Sequence, residues 1–196
     1  MLVPFDAASP LDLAALWQLD LLSGDDIAAV CMRWLAEDLD GGNPNIAAFA
    51  GRRNLTLAEA GPTFERVLGS FVGRGMAREE AVLRGLRFHL AAALEEDRLM
   101  DGVGLALHRF ADLSDQRLVR NPRRDREEPD GVYAAENLGL EYVYGGFYAF
   151  DDIQALSPDE KTAAEAALSS ALRQDVLELH NHLASLLGEP KLAARA

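Results

Sequence analysis

Between Ser157 and Gly188 the apolar residues Ala164, Leu168, Leu172, Val176, Leu179, Leu183 and Leu186 are separated by steps of three and four only. That spacing returns side chains to one side of an α-helix and fits no strand, whose faces alternate at every second residue. Ser157-Pro158-Asp159-Glu160 supplies the start, with a capping hydroxyl, a first-turn proline and acids at the positive end of the helix dipole. Gly188 followed by Pro190 supplies the stop. The stretch predicts a single helix of about eight turns at roughly 1.5 Å per residue.

Similar punctuation recurs upstream. Ser9-Pro10-Leu11-Asp12 opens a helix reaching about Leu21, and Ser23-Gly24-Asp25-Asp26 opens a second. In that second helix Ile27, Val30, Cys31, Trp34 and Leu35 fall on one face, and Gly41-Gly42 ends it. Asn43-Pro44 caps a short helix over Ile46 to Ala50. Thr56-Leu57-Ala58-Glu59 is a capping box for a fourth, which Gly61-Pro62 is expected to kink or delay. After Gly73-Arg74-Gly75 the pattern predicts a long helix from about Ala77 to Met100 and a shorter one from about Val103 to Leu113.

Two segments break the rhythm. Residues 114–131 carry Arg117, Arg120, Arg123, Arg124 and Arg126 together with Pro122, Pro129 and Asp130-Gly131, the composition of an exposed loop. Residues 133–150 hold all four tyrosines, Tyr133, Tyr142, Tyr144 and Tyr148, with Phe147 and Phe150. Gly145-Gly146 interrupts that run, which fits either a broken helix or a short hairpin. The expected architecture is all-α: an irregular multi-helix bundle or stacked antiparallel helix pairs, as one helical domain over residues 1–190 with a C-terminal tail over 191–196.

The chain of 196 residues is 49% hydrophobic and 26% charged, within the globular range, and is large enough to bury a core without a metal or disulfide. Its single cysteine, Cys31, points to a reducing compartment. Met1-Leu2-Val3-Pro4-Phe5-Asp6 lacks the basic start of a secretory signal, and no apolar run is long enough for a bilayer, so the expected location is the cytoplasm. The formal charge of −13 is uneven: residues 1–50 contain eight acids and one base, Arg33. Such a field repels nucleic acid and anionic lipid and attracts basic proteins.

Familiar catalytic and metal patterns are absent. His180 and His182, two apart on a helix, point about 200° apart and cannot chelate one ion together. Glu178 and His182 share a face but make only two ligands. His89 lies on the apolar side of its helix, where a hydrogen-bonded core histidine is expected, and His108 has no recognisable partner. Asp38-Leu39-Asp40-Gly41 resembles the start of a calcium loop. Aligning Gly41 with the turn glycine, however, puts Ala36 at the first ligand position and Ala47 where the bidentate glutamate belongs. Gly69 to Gly75 lacks the Lys-Ser/Thr of a phosphate loop, and Cys31 sits on an apolar face as inert packing. No catalytic residue, metal or cofactor is expected.

What remains is an interaction surface. One candidate is acidic: Asp20, Asp25, Asp26, Glu37, Asp38 and Asp40. The other is aromatic and acidic: Tyr142, Tyr144, Tyr148, Asp151 and Asp152, since tyrosine offers a large rigid surface with a polar tip. Leu22-Ser23-Gly24-Asp25-Asp26-Ile27 followed by Trp34, and then Leu55-Thr56-Leu57-Ala58-Glu59, resemble the small helical immunity proteins encoded beside bacterial polymorphic toxins. The resemblance covers about a quarter of the chain. It implies an antidote that binds one cognate toxin domain and blocks its active site or substrate approach. The alternatives are a helical scaffold or regulatory adaptor for an endogenous protein, and an enzyme whose groups converge from distant positions.

Overall fold

The computed structural model describes residues 5, 8–73, 75–95, 98–110 and 138–193. Among them the chain is all-α, with eight helices and no β-strand: α1 (Pro10–Gln18), α2 (Gly24–Ala36), α3 (Pro44–Phe49), α4 (Leu57–Val72), α5 (Arg78–Ala93), α6 (Leu99–Phe110), α7 (Glu141–Asp152) and α8 (Pro158–Leu187). A short 3₁₀ turn, Ile153–Ala155, follows α7. Internal contacts divide the chain into two compact units, Val3–Gly85 and Leu86–Ala196. The Arg-rich segment 114–131 and Tyr133 lie outside the described residues.

In the first unit three helices start on capping boxes. Asp12 Oδ2 accepts the Ser9 hydroxyl at 2.7 Å, and Asp26 Oδ2 accepts the Ser23 amide at 2.8 Å. Glu59 Oε2 accepts the Thr56 amide at 3.0 Å while the Glu59 amide donates back to Thr56 Oγ1 at 3.3 Å. Each cap stabilises its helix by about 1 kcal/mol. The Thr56 box starts α4 at Leu57, so Gly61-Pro62 does not delay the helix; Pro62 stands inside it. α1 ends at Gln18, a turn earlier than its sequence pattern predicts, because Asp20 turns into the left-handed region with φ 56.

The core of this unit includes Leu13, Leu16, Ile27, Ile46, Trp34 and Phe64, all at most 1% exposed. Burial of each such side chain is worth about 1.5–3 kcal/mol. Trp17 on α1 lies edge-on to Phe64 of α4 at 5.6 Å, over Gly61. Gly24 brings the start of α2 against the backbone of Leu55, so close that an ideal Cβ on Gly24 would stand 1.5 Å from the Leu55 carbonyl oxygen. A side chain there is sterically forbidden, and that backbone contact fixes where residues 51–55 run beside α2.

In the second unit α7 packs on α6 and α8 around Leu138, Leu140, Val143, Leu172, Val176 and Leu183. The predicted helix from Ala77 to Met100 is divided here: α5 ends at Ala93. The Leu94 amide is shared between the Leu90 and Ala91 carbonyls at 3.2 and 3.1 Å, a tightening common at helix ends. Arg173 Nη1 then donates to the Leu94 carbonyl at 2.7 Å. α6 approaches closely through Gly102, where a Cβ would stand 2.6 Å from Ala93 Cα. The Val103–Leu113 helix therefore begins earlier, at Leu99, and its described part ends at Phe110.

α8 is the long C-terminal helix that the spacing predicts, and its Ser157–Glu160 capping box is present. Its stripe is not buried throughout. Leu172, Val176, Leu179 and Leu183 are at most 3% exposed, whereas Ala164 and Leu168 are half-buried and Leu186 is 52% exposed. Gly188, φ 69, turns the chain out of the helix. The chain then folds back: Asn181 accepts the Leu192 amide at 2.8 Å and donates to the Leu192 carbonyl at 3.0 Å.

Candidate partner-binding surfaces

The run from Tyr142 to Phe150 is a continuous helix, neither broken nor a hairpin, although Gly145-Gly146 sits in its middle. Packing compensates for the low helix propensity of glycine. Gly146 lets α7 approach α8, since a Cβ there would meet Leu172 Cδ1 at 3.2 Å, and Phe147 lies over Gly104 of α6 at a similar separation. At about 100° per residue, these contacts place Val143, Gly146 and Phe147 on the inner half of the helix. Tyr144, Tyr148, Asp151 and Asp152 then occupy a single outer arc. Tyr142 falls on another side, so the structure separates it from the other two tyrosines.

The outer arc is organised. Tyr144 and Tyr148 bring their ring centroids to 4.5 Å at 41°, and Phe147 meets Tyr148 edge-on at 5.2 Å and 83°. Tyr148 is 46% exposed, and Asp151 and Asp152 are exposed one turn beyond it. An aromatic platform beside two carboxylates has the chemistry to hold a guanidinium or ammonium group, by cation–π attraction and ion pairing. Phe147, part of the same aromatic run in the sequence though not among the candidate binding residues, supports this platform. Its spacing of three residues from Tyr144 is the signal that points to it.

The acidic candidates of the first unit do not form one patch. Asp20 and Asp25 are exposed near the start of α2, whereas Glu37, Asp38 and Asp40 lie past its far end. Twelve helical residues separate Asp25 from Glu37, about 18 Å along the axis. Asp26 is only 8% exposed, and its carboxylate is occupied by Ser23. Asp40 accepts the Gly42 amide at 3.0 Å, and Glu37 lies 3.7 Å from Arg33. Capping and turn formation thus account for part of the acidity, leaving Asp20, Asp25 and Asp38 as exposed charges at separate points.

The groups capable of chemistry are mostly packed away. His89 is 1% exposed, and its Nε2 lies 3.0 Å from Arg109 Nη1. Since arginine only donates, this contact requires a neutral histidine accepting at Nε2. His180 is also 1% exposed, with Nδ1 3.2 Å from Asn181 Oδ1; burial, aided by the Arg87 charge, holds its pKa below the usual 6.5. Burial pushes the Cys31 thiol up to about 12, which leaves no thiolate at neutral pH. His182 is half-buried and His108 exposed. Among the described residues no three His, Cys, Asp or Glu side chains gather as a metal site, and no helix is long and apolar enough to cross a membrane. No protein-family model matches the chain, and comparison with known proteins and solved structures finds no significant match.

Proposed function

We propose that the protein is an antidote of the immunity-protein kind, which binds one cognate bacterial toxin domain in the cytoplasm and covers its active or substrate-binding surface. The observation that carries this reading is the outer arc of α7, where the Tyr144 and Tyr148 rings, in contact at a tilt, stand beside exposed Asp151 and Asp152. Nuclease toxins need basic surfaces to hold nucleic acid, and this arc suits arginine and lysine side chains. A cation over an exposed aromatic ring contributes about 0.5–1 kcal/mol per contact. The net charge of −13 adds long-range attraction to such a partner and raises the association rate. In this reading Asp20, Asp25 and Asp38 steer the encounter, the tyrosine arc holds the complex, and neutralisation is stoichiometric occlusion without a cofactor.

The test is affinity purification of the tagged protein from its native lysate at low and moderate salt. Near-equimolar recovery of one basic toxin domain, inactive in the complex, is the expected result. Recovery of a housekeeping protein favours a regulatory adaptor. A retained toxin that stays fully active, or an empty column with the toxin expressed, rules the antidote out.

A further inference from the structure

Residues 8–73 carry nine carboxylates and only four basic side chains, yet three of those four, Arg33, Arg52 and Arg53, border a single open groove of about 770 Å³. One wall is the outward face of α2, where Ala29 and Ala36 flank Met32, which is 50% exposed, and buried Ala28 borders it. The other wall is the turn 51–54, shaped by left-handed Gly51 (φ 73) and Asn54 (φ 56) and held beside α2 by the Gly24–Leu55 backbone contact. Arg33 is fixed, with Nη2 donating to the Ala8 carbonyl at 3.0 Å. Arg52 reaches Glu59 at 3.4 Å with both side chains about half exposed, a weak pair that a better acceptor displaces. Arg53 is exposed and makes no ion pair or side-chain hydrogen bond among the described residues.

We propose that this groove binds an acidic peptide segment of a protein partner. A glutamate or aspartate side chain of the segment lies against Arg52 and Arg53, and a neighbouring apolar side chain rests on Ala29, Met32 and Ala36. Paired guanidinium forks match a carboxylate, and the small-residue floor admits a peptide backbone close to α2. The apolar side chains of Ala29, Met32 and Ala36 beside the arginines select a peptide over a free anion. Asp25, which also lines the groove, repels a doubly charged phosphate more than a singly charged carboxylate and offers an acceptor to a peptide N–H. The site is opposite in sign to the α7 arc and is independent of the antidote reading.

The experiment is selection of a phage-displayed random dodecapeptide library on the folded protein. Synthetic versions of the selected peptides, acetylated and amidated so that only side chains carry charge, are then titrated by fluorescence anisotropy. The expected outcome is enrichment of Asp or Glu next to an apolar residue, with affinity falling at least tenfold for Arg52→Glu/Arg53→Glu and also falling with added salt. The milder Arg53→Gln variant, expected to weaken binding several-fold, keeps the test valid should the charge reversal unfold the unit. Absence of any enriched sequence, enrichment without an acidic residue, or equal affinity for the folded variants overturns the proposal.

Discussion

Asp20 and Asp38 occupy the same structural position at the ends of successive helices. Each lies just beyond the helix with left-handed φ, 56 and 55, and each is followed by an amide that reaches back to close the last turn. The Leu21 amide donates to the Leu16 carbonyl at 2.9 Å, and the Leu39 amide to the Trp34 carbonyl at 2.8 Å. Glycine is the residue suited to this position, and an acid there also faces the negative end of the helix dipole. Asp20→Gly and Asp38→Gly are each expected to stabilise the protein by roughly 1 kcal/mol, read from urea unfolding. Under the proposed function the same changes slow association with the toxin at low salt. A destabilising result shows instead that these carboxylates make a folded-state contribution.

The glycines of α2 and α7 predict opposite responses to alanine. Gly24→Ala drives a Cβ into the Leu55 carbonyl and must separate α2 from residues 51–55, at a cost of about 3 kcal/mol. Gly145→Ala meets nothing within 4 Å and gains helix propensity, stabilising by about 0.5–1 kcal/mol. Thermal melts followed by circular dichroism decide both, and a neutral Gly24→Ala rejects the close approach.

Acid sensitivity follows from the capping carboxylates. Hydrogen bonds from the side chain and amide of Thr56 hold the Glu59 pKa below its usual 4.5, and Ser157 acts likewise on Glu160. Because the folded pKa is depressed, the stabilisation is complete above the unfolded value near 4.5 and is lost as pH falls through the lower folded value. Glu59→Gln and Glu160→Gln keep a capping group but remove the titration, so their stability should change less with pH than the wild type below 4.5. Parallel urea midpoints for wild type and double variant across that range would count against this assignment.

Cys31 should resist alkylation. It is fully buried in α2 with its pKa near 12, so iodoacetamide at pH 8 is expected to leave the native protein unmodified and to label it rapidly in denaturant. Fast native labelling, measured by intact mass, would place the thiol outside the core.

Local signals were legible, and long-range ones were not. Capping at Ser9, Ser23, Thr56 and Ser157 depends on residues three apart, so the helix starts could be read directly. The end of α5 could not, because it depends on Gly102 packing against Ala93 and on Arg173 reaching Leu94 from 79 positions away. Gly145-Gly146 appeared to interrupt a helix only because Leu172, the residue that receives Gly146, is remote in sequence. Among the candidate binding residues, sequence proximity groups acids that α2 holds at opposite ends, and it groups Tyr142 with Tyr144 and Tyr148 although the turn of α7 carries Tyr142 to another side. The Arg33, Arg52 and Arg53 grouping was hidden for the same reason: α3 intervenes in the chain between its two walls.

The uneven burial of α8 determines how that helix holds itself together. No residue from 158 to 171 is buried, while Leu172, Val176, Leu179 and Leu183 are anchored in the core. The anchored half acts as a permanent nucleus, so the outer half grows from an existing template and avoids the initiation penalty that leaves short free helices unfolded in water. Amide protons should therefore exchange in a gradient along this one helix, fastest near Ser157 and slowest around Val176, as the outer turns open and reclose while the rest of α8 stays folded.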